Sequence, residues 1–169
     1  MTRRLILMRH AKSAWDNPVP DHERDLNERG RHSADAMGKW LLSSSYLPDE
    51  ALVSTALRTR KTYDRLNLQT EQVTTVAQLY HANAQVFLEC LQMAKGQTVL
   101  ILGHNPSISE FASEMAASQP EHSRFDNFPT CATWVADFAI EDWKDARQGI
   151  AVSVDFAIPR ELIEASDQP

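Results

Sequence analysis

The sequence predicts an α/β fold, a three-layer α/β/α sandwich with a mostly parallel central sheet. Short apolar runs alternate with helix-like segments along most of the chain, and this alternation is typical of a parallel sheet covered by helices on both faces. A length of 169 residues is close to that of one ordinary domain, and 43% hydrophobic residues suffice for a full core. We therefore expect one domain over residues 1–169.

The first part of the chain is predicted to alternate between strands and helices. Residues 5–8 form an apolar run typical of a buried strand. Asn27 is a candidate N-cap, because apolar residues recur at helical spacing between it and Leu42. The following elements are a short strand at residues 52–53, a helix over residues 57–66 and a short strand over residues 73–76.

The same alternation continues in the second part. A helix is predicted over residues 85–93 with Gly96 as its end, followed by a strand over residues 98–102. Asn105 and Pro106 are expected to supply the N-cap and first position of the next helix. A polar loop over residues 119–129, strands near residues 133–138 and 151–156, and a charged tail after Pro159 that frays complete the prediction.

Composition excludes several classes of function. The net charge of −6 argues against a nucleic-acid-binding protein, which needs an excess of Lys and Arg. No apolar run approaches the roughly 20 residues needed to span a bilayer, so we expect a cytoplasmic protein that does not bind membranes. Cys90 and Cys131 have no zinc-site spacing, and neither has the arginine six residues later that a cysteine-based phosphatase needs. Both are expected to be reduced core residues.

Basic residues are concentrated in the first part of this acidic chain. Residues 1–65 contain 12 of the 17 basic side chains and 9 acidic ones, whereas residues 66–169 contain 5 basic and 14 acidic side chains. This distribution favours a local anion site over a broad basic surface.

Two histidines follow predicted strands at the point where a ligand crevice is expected. His10 comes after the first apolar run and His104 after the run at residues 98–102, and ligands of open α/β sheets bind at the carboxyl ends of the strands. Arg9 and Arg58 are suited to a phosphoryl group, because a guanidinium binds its oxygens with two parallel hydrogen bonds. A neutral imidazole at His10 can attack phosphorus, and a protonated one at His104 can stabilise the transition state.

Five short motifs along the chain resemble those of the histidine phosphatase superfamily, in the order expected for it. The superfamily is named for Arg-His-Gly at the end of its first strand, and the chain has Arg9-His10-Ala11 there. The resemblance covers most of the chain. Its further motifs are Lys12-Ser13-Ala14-Trp15-Asp16, Asp25-Leu26-Asn27-Glu28-Arg29-Gly30, the spaced residues Ser54, Arg58 and Thr62, and Gly103-His104-Asn105-Pro106.

The resemblance implies a phosphoglycerate mutase-like fold and a phosphatase that needs neither a metal ion nor another cofactor. It implies that His10 is the nucleophile, that Arg9 and Arg58 are catalytic phosphate ligands, and that His104 binds phosphate during catalysis. The chain is most similar to SixA-type phosphohistidine phosphatases in its short length, in residues 9–13 (Arg-His-Ala-Lys-Ser) and in Leu79-Tyr80-His81-Ala82. The implied substrate is phosphohistidine in a protein.

Two positions depart from the phosphoglycerate mutase branch. That branch has an asparagine phosphate ligand where this chain has Asp16, and a glutamate general acid where it has His81. Either residue is a candidate general acid, and each has an alternative local structural role. A missing glutamate favours phosphoramidates over phosphoesters, because an imidazole leaves more easily than an alkoxide.

Two other functions stay open at the level of sequence. The first is a phosphatase of small phosphorylated metabolites that uses His81 or Asp16 as its acid. The second is a non-catalytic domain that binds phosphate or a phosphorylated protein. The expected partner is thus a phosphorylated protein or a small phosphorylated substrate.

Overall fold

The computed structural model describes residues 1–167 and contains one six-stranded sheet with five α-helices. The strands are β1 (Arg3–Arg9), β2 (Glu50–Ser54), β3 (Gln72–Val76), β4 (Thr98–Gly103), β5 (Thr133–Phe138) and β6 (Val152–Ala157). The helices are α1 (Glu28–Ser43), α2 (Leu57–Leu66), α3 (Ala84–Met93), α4 (Ser107–Met115) and α5 (Pro159–Ser166).

The strands lie in the order β3-β2-β4-β1-β5-β6. The first four in this order are parallel, whereas β5 pairs antiparallel with β1, and β6 antiparallel with β5. This arrangement confirms the predicted mostly parallel sheet. It also puts β1 and β4 side by side in the middle, so both histidine-bearing strand ends lie at the same edge.

Helices cover both faces of the sheet, which gives the predicted three layers. On one face α1 packs against α2 and α5, and on the other α3 packs against α4. Alternate residues of β1 point to opposite faces. Leu5 and Leu7 accordingly join the core under α3 and α4, and Ile6 and Met8 join the core under α1 and α2.

Most of the predicted elements are confirmed within a few residues. Asn27 is the N-cap of α1, and its side chain accepts a hydrogen bond from the Gly30 N–H. The helix at α2 and the strand at β5 have the predicted bounds. Cys131 is buried and Cys90 is half-buried on α3, and neither forms a disulfide.

Asn105 does not cap α4 as predicted. The helix begins at Ser107 with Pro106 as N-cap residue, and no side chain caps it. The Asn105 amide instead donates to the backbone carbonyls of Asn127 and Phe128, because the loop before β5 folds against this strand end. The Ile108 N–H donates to the His104 carbonyl, so this amide at the start of α4 is not free.

Three further predictions are wrong in detail. The third helix ends at Met93 with Ala94 as C-cap, before Gly96, whose carbonyl accepts from the Trp143 indole. The predicted polar loop over residues 119–129 buries Phe125 and Phe128. Residues after Pro159 form α5 instead of fraying, because its apolar face packs on α1. Within residues 1–167, no helix is long and apolar enough to cross a membrane.

Candidate active site

The carboxyl ends of three neighbouring strands meet at one edge of the sheet. Arg9 of β1 is paired with Gly103 of β4, so His10 and His104 are the next residues beyond two adjacent strands. Their imidazole rings have centroids 5.2 Å apart and are tilted by 50°. Ser54 ends β2, on the other side of β4. The structure therefore brings together the two histidines that the sequence predicts at strand ends.

The backbone and side chain of His10 are both fixed by hydrogen bonds. Its N–H donates to the Gly103 carbonyl at 3.0 Å, and its carbonyl accepts from the Cys131 N–H at 2.9 Å. Its Nδ1 lies 2.7 Å from the Ala11 carbonyl oxygen. Because a carbonyl only accepts, Nδ1 carries the proton, and Nε2 of the neutral ring keeps its lone pair. This is the tautomer that nucleophilic attack by Nε2 requires.

Burial keeps His10 neutral. Desolvation lowers the pKa of its imidazole from 6.5 to about 3, and the positive charges of Arg58 and Arg9 act in the same direction. The hydrogen bond to the Ala11 carbonyl opposes this shift. A lone pair is therefore present on this ring at neutral pH and well into the acidic range.

His104 lies between a hydroxyl and a guanidinium. Its Nε2 is 2.8 Å from Ser54 Oγ, and its Nδ1 is 3.4 Å from Arg58 Nη2. Because a guanidinium only donates, Nδ1 accepts, and the proton of the neutral ring is on Nε2. Burial and the Arg58 charge lower the pKa of His104 to about 3, whereas the Asp21 charge raises it. An anion bound beside Nδ1 would favour the protonated ring.

Two arginines, the half-buried Arg9 and the buried Arg58, carry unpaired donors in this region. Arg9 donates from Nη1 to the Phe128 carbonyl at 3.1 Å. The Nε atoms of Arg9 and Arg58 are buried, and neither has a hydrogen-bond partner within residues 1–167. Burial and the neighbouring charge of Arg58 lower the pKa of Arg9. Two like charges in a site that is partly shielded from water are costly unless anions accompany them, so the arrangement suits a phosphoryl group.

The spaced residues Ser54, Arg58 and Thr62 act as one unit. Thr62 Oγ1 accepts from the Ala11 N–H at 3.0 Å and donates to the Arg58 carbonyl at 2.7 Å. One turn of α2 thus ties the residue after His10 to the helix that carries Arg58. Ser54 hydrogen-bonds to the His104 ring, so all three residues of the motif lie in or help to hold the site.

Sequence reasoning missed a carboxylate that contacts Arg58. Asp21 lies in a 3-10 turn over Asp21–Glu23 and accepts from Arg58, Arg24 and the Tyr80 hydroxyl. The Tyr80 hydrogen bond, followed by the arginines, holds the pKa of Asp21 well below its usual range. No sequence signal marks this residue, because its segment is typical of a charged loop and only tertiary contacts bring it to α2.

The two candidate general acids occupy different positions. His81 is exposed, and its ring centroid lies 4.0 Å from that of Tyr80, whose own ring is 5.6 Å from His104. Asp16 is exposed in the loop after β1 and makes no side-chain hydrogen bond within the described part of the chain. His81 thus lies at the edge of the site, whereas Asp16 forms no hydrogen bond or ion pair with a site residue within residues 1–167. Over residues 1–167, no group of three His, Cys, Asp or Glu side chains could hold a metal ion.

The family follows from comparison with known proteins. The family model of the histidine phosphatase superfamily, branch 1, matches residues 5–83, which contain Arg9, His10 and Arg58. The chain belongs to the histidine phosphatase superfamily. This membership confirms the predicted phosphatase class, and the similar structures confirm the phosphoglycerate mutase-like α/β fold.

Similar proteins and structures cover nearly the whole chain. An uncharacterized protein of Mycobacterium tuberculosis is 31% identical over 160 residues, which are 90% of this chain and 100% of the relative. A Nakamurella multipartitia structure assigned as the phosphohistidine phosphatase SixA has 27% identity and a TM-score of 0.82, covering 94% of this chain and 97% of its own. A structure with the same assignment from Agrobacterium tumefaciens has 27% identity and a TM-score of 0.75, covering 93% and 99%.

Proposed function

We propose that this phosphatase hydrolyses phosphohistidine in a protein, through a covalent phosphohistidine intermediate on His10. One observation carries the proposal: the His10 hydrogen bond to the Ala11 carbonyl leaves the Nε2 lone pair free, in a site with two arginines whose buried Nε atoms have no partner within residues 1–167. Nucleophile and anion ligands are thus held in position before substrate arrives, which lowers the entropic cost of the reaction.

In the first step the His10 Nε2 lone pair attacks phosphorus. A bond forms between Nε2 and phosphorus while the phosphorus–nitrogen bond of the substrate breaks, and its electron pair stays on the leaving imidazole, which takes up a proton. Arg9 and Arg58 bind the phosphoryl oxygens, whose charge must be matched by fixed donors. His104, protonated once the anion is bound, donates to one of these oxygens.

In the second step water attacks phosphorus of the phosphorylated His10. The phosphorus–Nε2 bond breaks, the electron pair returns to His10, and inorganic phosphate leaves. Two displacement steps replace one direct attack of water on the substrate. His81 and Asp16 remain the candidate proton donors, and the exposed ring of His81 beside Tyr80 is the better placed of the two.

The substrate class rests on leaving-group chemistry and on similarity. This chain has His81 where the phosphoglycerate mutase branch has a glutamate acid, and imidazole needs less acid assistance than an alkoxide. The two similar structures described above, at 27% identity, are assigned as phosphohistidine phosphatases. Both points support a phosphorylated protein as partner. The cytoplasmic location and the single domain over residues 1–169 stay predictions.

Phosphate release from a histidine-phosphorylated carrier protein in the presence of a chelator tests the proposal. We expect release by the wild type and none by His10→Ala, because the variant has no nucleophile. His32→Ala is the matched control, since His32 is an exposed histidine of α1, and it should retain wild-type activity. Thermal unfolding of each variant checks that the fold is intact.

Three outcomes would contradict the proposal. Release by His10→Ala at the wild-type rate would remove His10 from the role of nucleophile. Absence of release by the folded wild type, together with turnover of small phosphoesters, would instead favour a phosphatase of small metabolites. Binding of the phosphorylated carrier without any turnover would indicate the non-catalytic domain.

A further inference from the structure

Asp21 hydrogen-bonds to Arg58 and to two further side chains, those of Tyr80 and Arg24. Its backbone carbonyl accepts from Arg58 Nη1 at 2.8 Å, and its Oδ2 accepts from Arg58 Nη2 at 3.1 Å. Oδ2 also accepts from the Tyr80 hydroxyl at 2.6 Å. The other carboxylate oxygen, Oδ1, accepts from Arg24 Nε and Nη2 at 3.2 and 3.0 Å.

These contacts leave a defined set of donors on Arg58. A guanidinium has five N–H donors in a planar fork. Asp21 takes one from each Nη atom, and His104 Nδ1 lies against a second one on Nη2. One N–H of Nη1 and the buried Nε–H therefore remain without a partner in the described chain, so the protein itself does not use these two donors.

We infer that Asp21 is a positioning residue for the phosphatase reaction, which orients Arg58 so that its remaining donors face the phosphoryl group. This inference rests on the proposed function. Asp21 also supplies a negative charge before substrate binds, when Arg9 and Arg58 would otherwise repel each other. Arg58 is thus held in place in the free enzyme, and little reorganisation is needed during the reaction.

The position of Asp21 separates this role from a contribution to the core. Its side chain is 52% exposed, whereas that of Arg58 is 7% exposed. The carboxylate is itself fixed by Arg24, which is held by Ser13 Oγ at 2.5 Å and by the Trp15 ring at 3.6 Å from its centroid. Removal of an exposed carboxylate leaves the apolar core intact, so a loss of activity would come from the site.

Steady-state phosphate release from the histidine-phosphorylated carrier measures the effect. We expect Asp21→Ala to lower kcat about tenfold to a hundredfold with KM changed less than about threefold, because a misplaced arginine weakens transition-state contacts most. Asp21→Asn should recover part of kcat, since its amide oxygen can still accept from Arg58. Asp35→Ala is the matched control: it removes a carboxylate that binds Arg65 at 2.7 Å outside the site, and it should leave kcat unchanged.

A double-mutant cycle decides whether Asp21 acts through Arg58. If it does, Asp21→Ala should cause no further loss in the Arg58→Ala background, because residues that act as a unit are not additive. The inference would be overturned if the losses in kcat of the two single variants multiplied in the double variant. It would also be overturned by a kcat of Asp21→Ala within twofold of the wild type.

Inorganic phosphate gives a second measurement that does not depend on the substrate class. If the wild type does not act on the carrier, the proposed function fails, and phosphate affinity by calorimetry still tests Asp21. Asp21→Ala should then weaken phosphate binding about twofold to threefold, and only when Arg58 is present. Unchanged phosphate affinity in that case would also overturn the inference.

Discussion

At the scale of single residues, one hydrogen bond determines which nitrogen of His10 can react. The Ala11 carbonyl binds the Nδ1 proton, so the lone pair is on Nε2. The sequence predicts His10 as nucleophile from its place after a strand and from its motif, but it does not give the tautomer. That depends on the path of the backbone at Ala11, which Thr62 holds through the Ala11 N–H.

Replacement of Arg58 by lysine tests whether the planar guanidinium group of Arg58 is needed for activity. We expect Arg58→Lys to lower kcat/KM about a hundredfold, because an ammonium is a point charge that cannot make the same set of directed hydrogen bonds. Arg65→Lys on the same helix is the control, since that arginine is exposed and pairs with Asp35. Full activity of Arg58→Lys in a steady-state assay would show that Arg58 does not bind the phosphoryl group.

Residues of the site differ in how far the sequence predicts them. Arg9, His10, Arg58 and His104 each belong to a short motif next to a strand or helix end, so local sequence locates them. Asp21 has no such motif, and its contact with Arg58 spans 37 positions. A residue that reaches the site only through tertiary packing cannot be recognised from a motif in a single sequence.

At the scale of elements, the close contact of α1 with α2 fixes the helix that carries Arg58. An added Cβ at Gly38 of α1 would lie 2.2 Å from the Leu66 carbonyl oxygen at the end of α2. A backbone oxygen cannot move aside without shifting the helix. The first and last residues of α2 are predictable from the sequence, because its apolar and polar residues follow one helical period.

Gly38→Ala should therefore destabilise the protein although alanine is the better helix former. We expect the free energy of unfolding to fall by about 1–3 kcal/mol, as for other overpacked sites, instead of rising by about 1 kcal/mol from helix propensity alone. Urea unfolding measures the change, with Ser43→Ala at the exposed end of α1 as the control. A more stable Gly38→Ala would mean that α1 and α2 are not in this close contact.

The sequence predicts wrongly those elements whose structure depends on contacts with residues distant in the chain. The segment after Pro159 is charged and short, and it forms α5 because α1 offers it a surface. Asn105 has the sequence of a helix cap, but its amide binds carbonyls of residues 127 and 128. Local sequence cannot predict either outcome, because the competing partner lies elsewhere in the chain.

At the scale of the whole molecule, two neutral histidines buried in one site make stability depend on pH. Both have a pKa of about 3 in the folded chain and 6.5 as the ordinary value. Between these values the unfolded chain binds more protons than the folded one, so the free energy of unfolding falls as pH falls. The burial of two neutral histidines in the site thus lowers the stability of the folded protein in acid.

Urea unfolding at pH 6.5, 5.5 and 4.5 measures this dependence. Each of the two histidines should contribute a loss of up to about 1.4 kcal/mol per pH unit toward the acidic end. His104→Asn should show a shallower dependence than the wild type, whereas His32→Ala, which removes an exposed histidine, should not. Equal slopes for the wild type and His104→Asn would show that His104 is not held neutral.

His10 should become phosphorylated during turnover, and mass spectrometry of the enzyme tests this most directly. Wild type mixed with the histidine-phosphorylated carrier is quenched at high pH, where phosphohistidine survives, and digested for peptide mapping. We predict one phosphoryl group on the peptide that contains His10, bound to that histidine, and none in His10→Ala. Turnover of the carrier with the phosphoryl group on another residue, or with none on the enzyme at any quench time, would contradict the account.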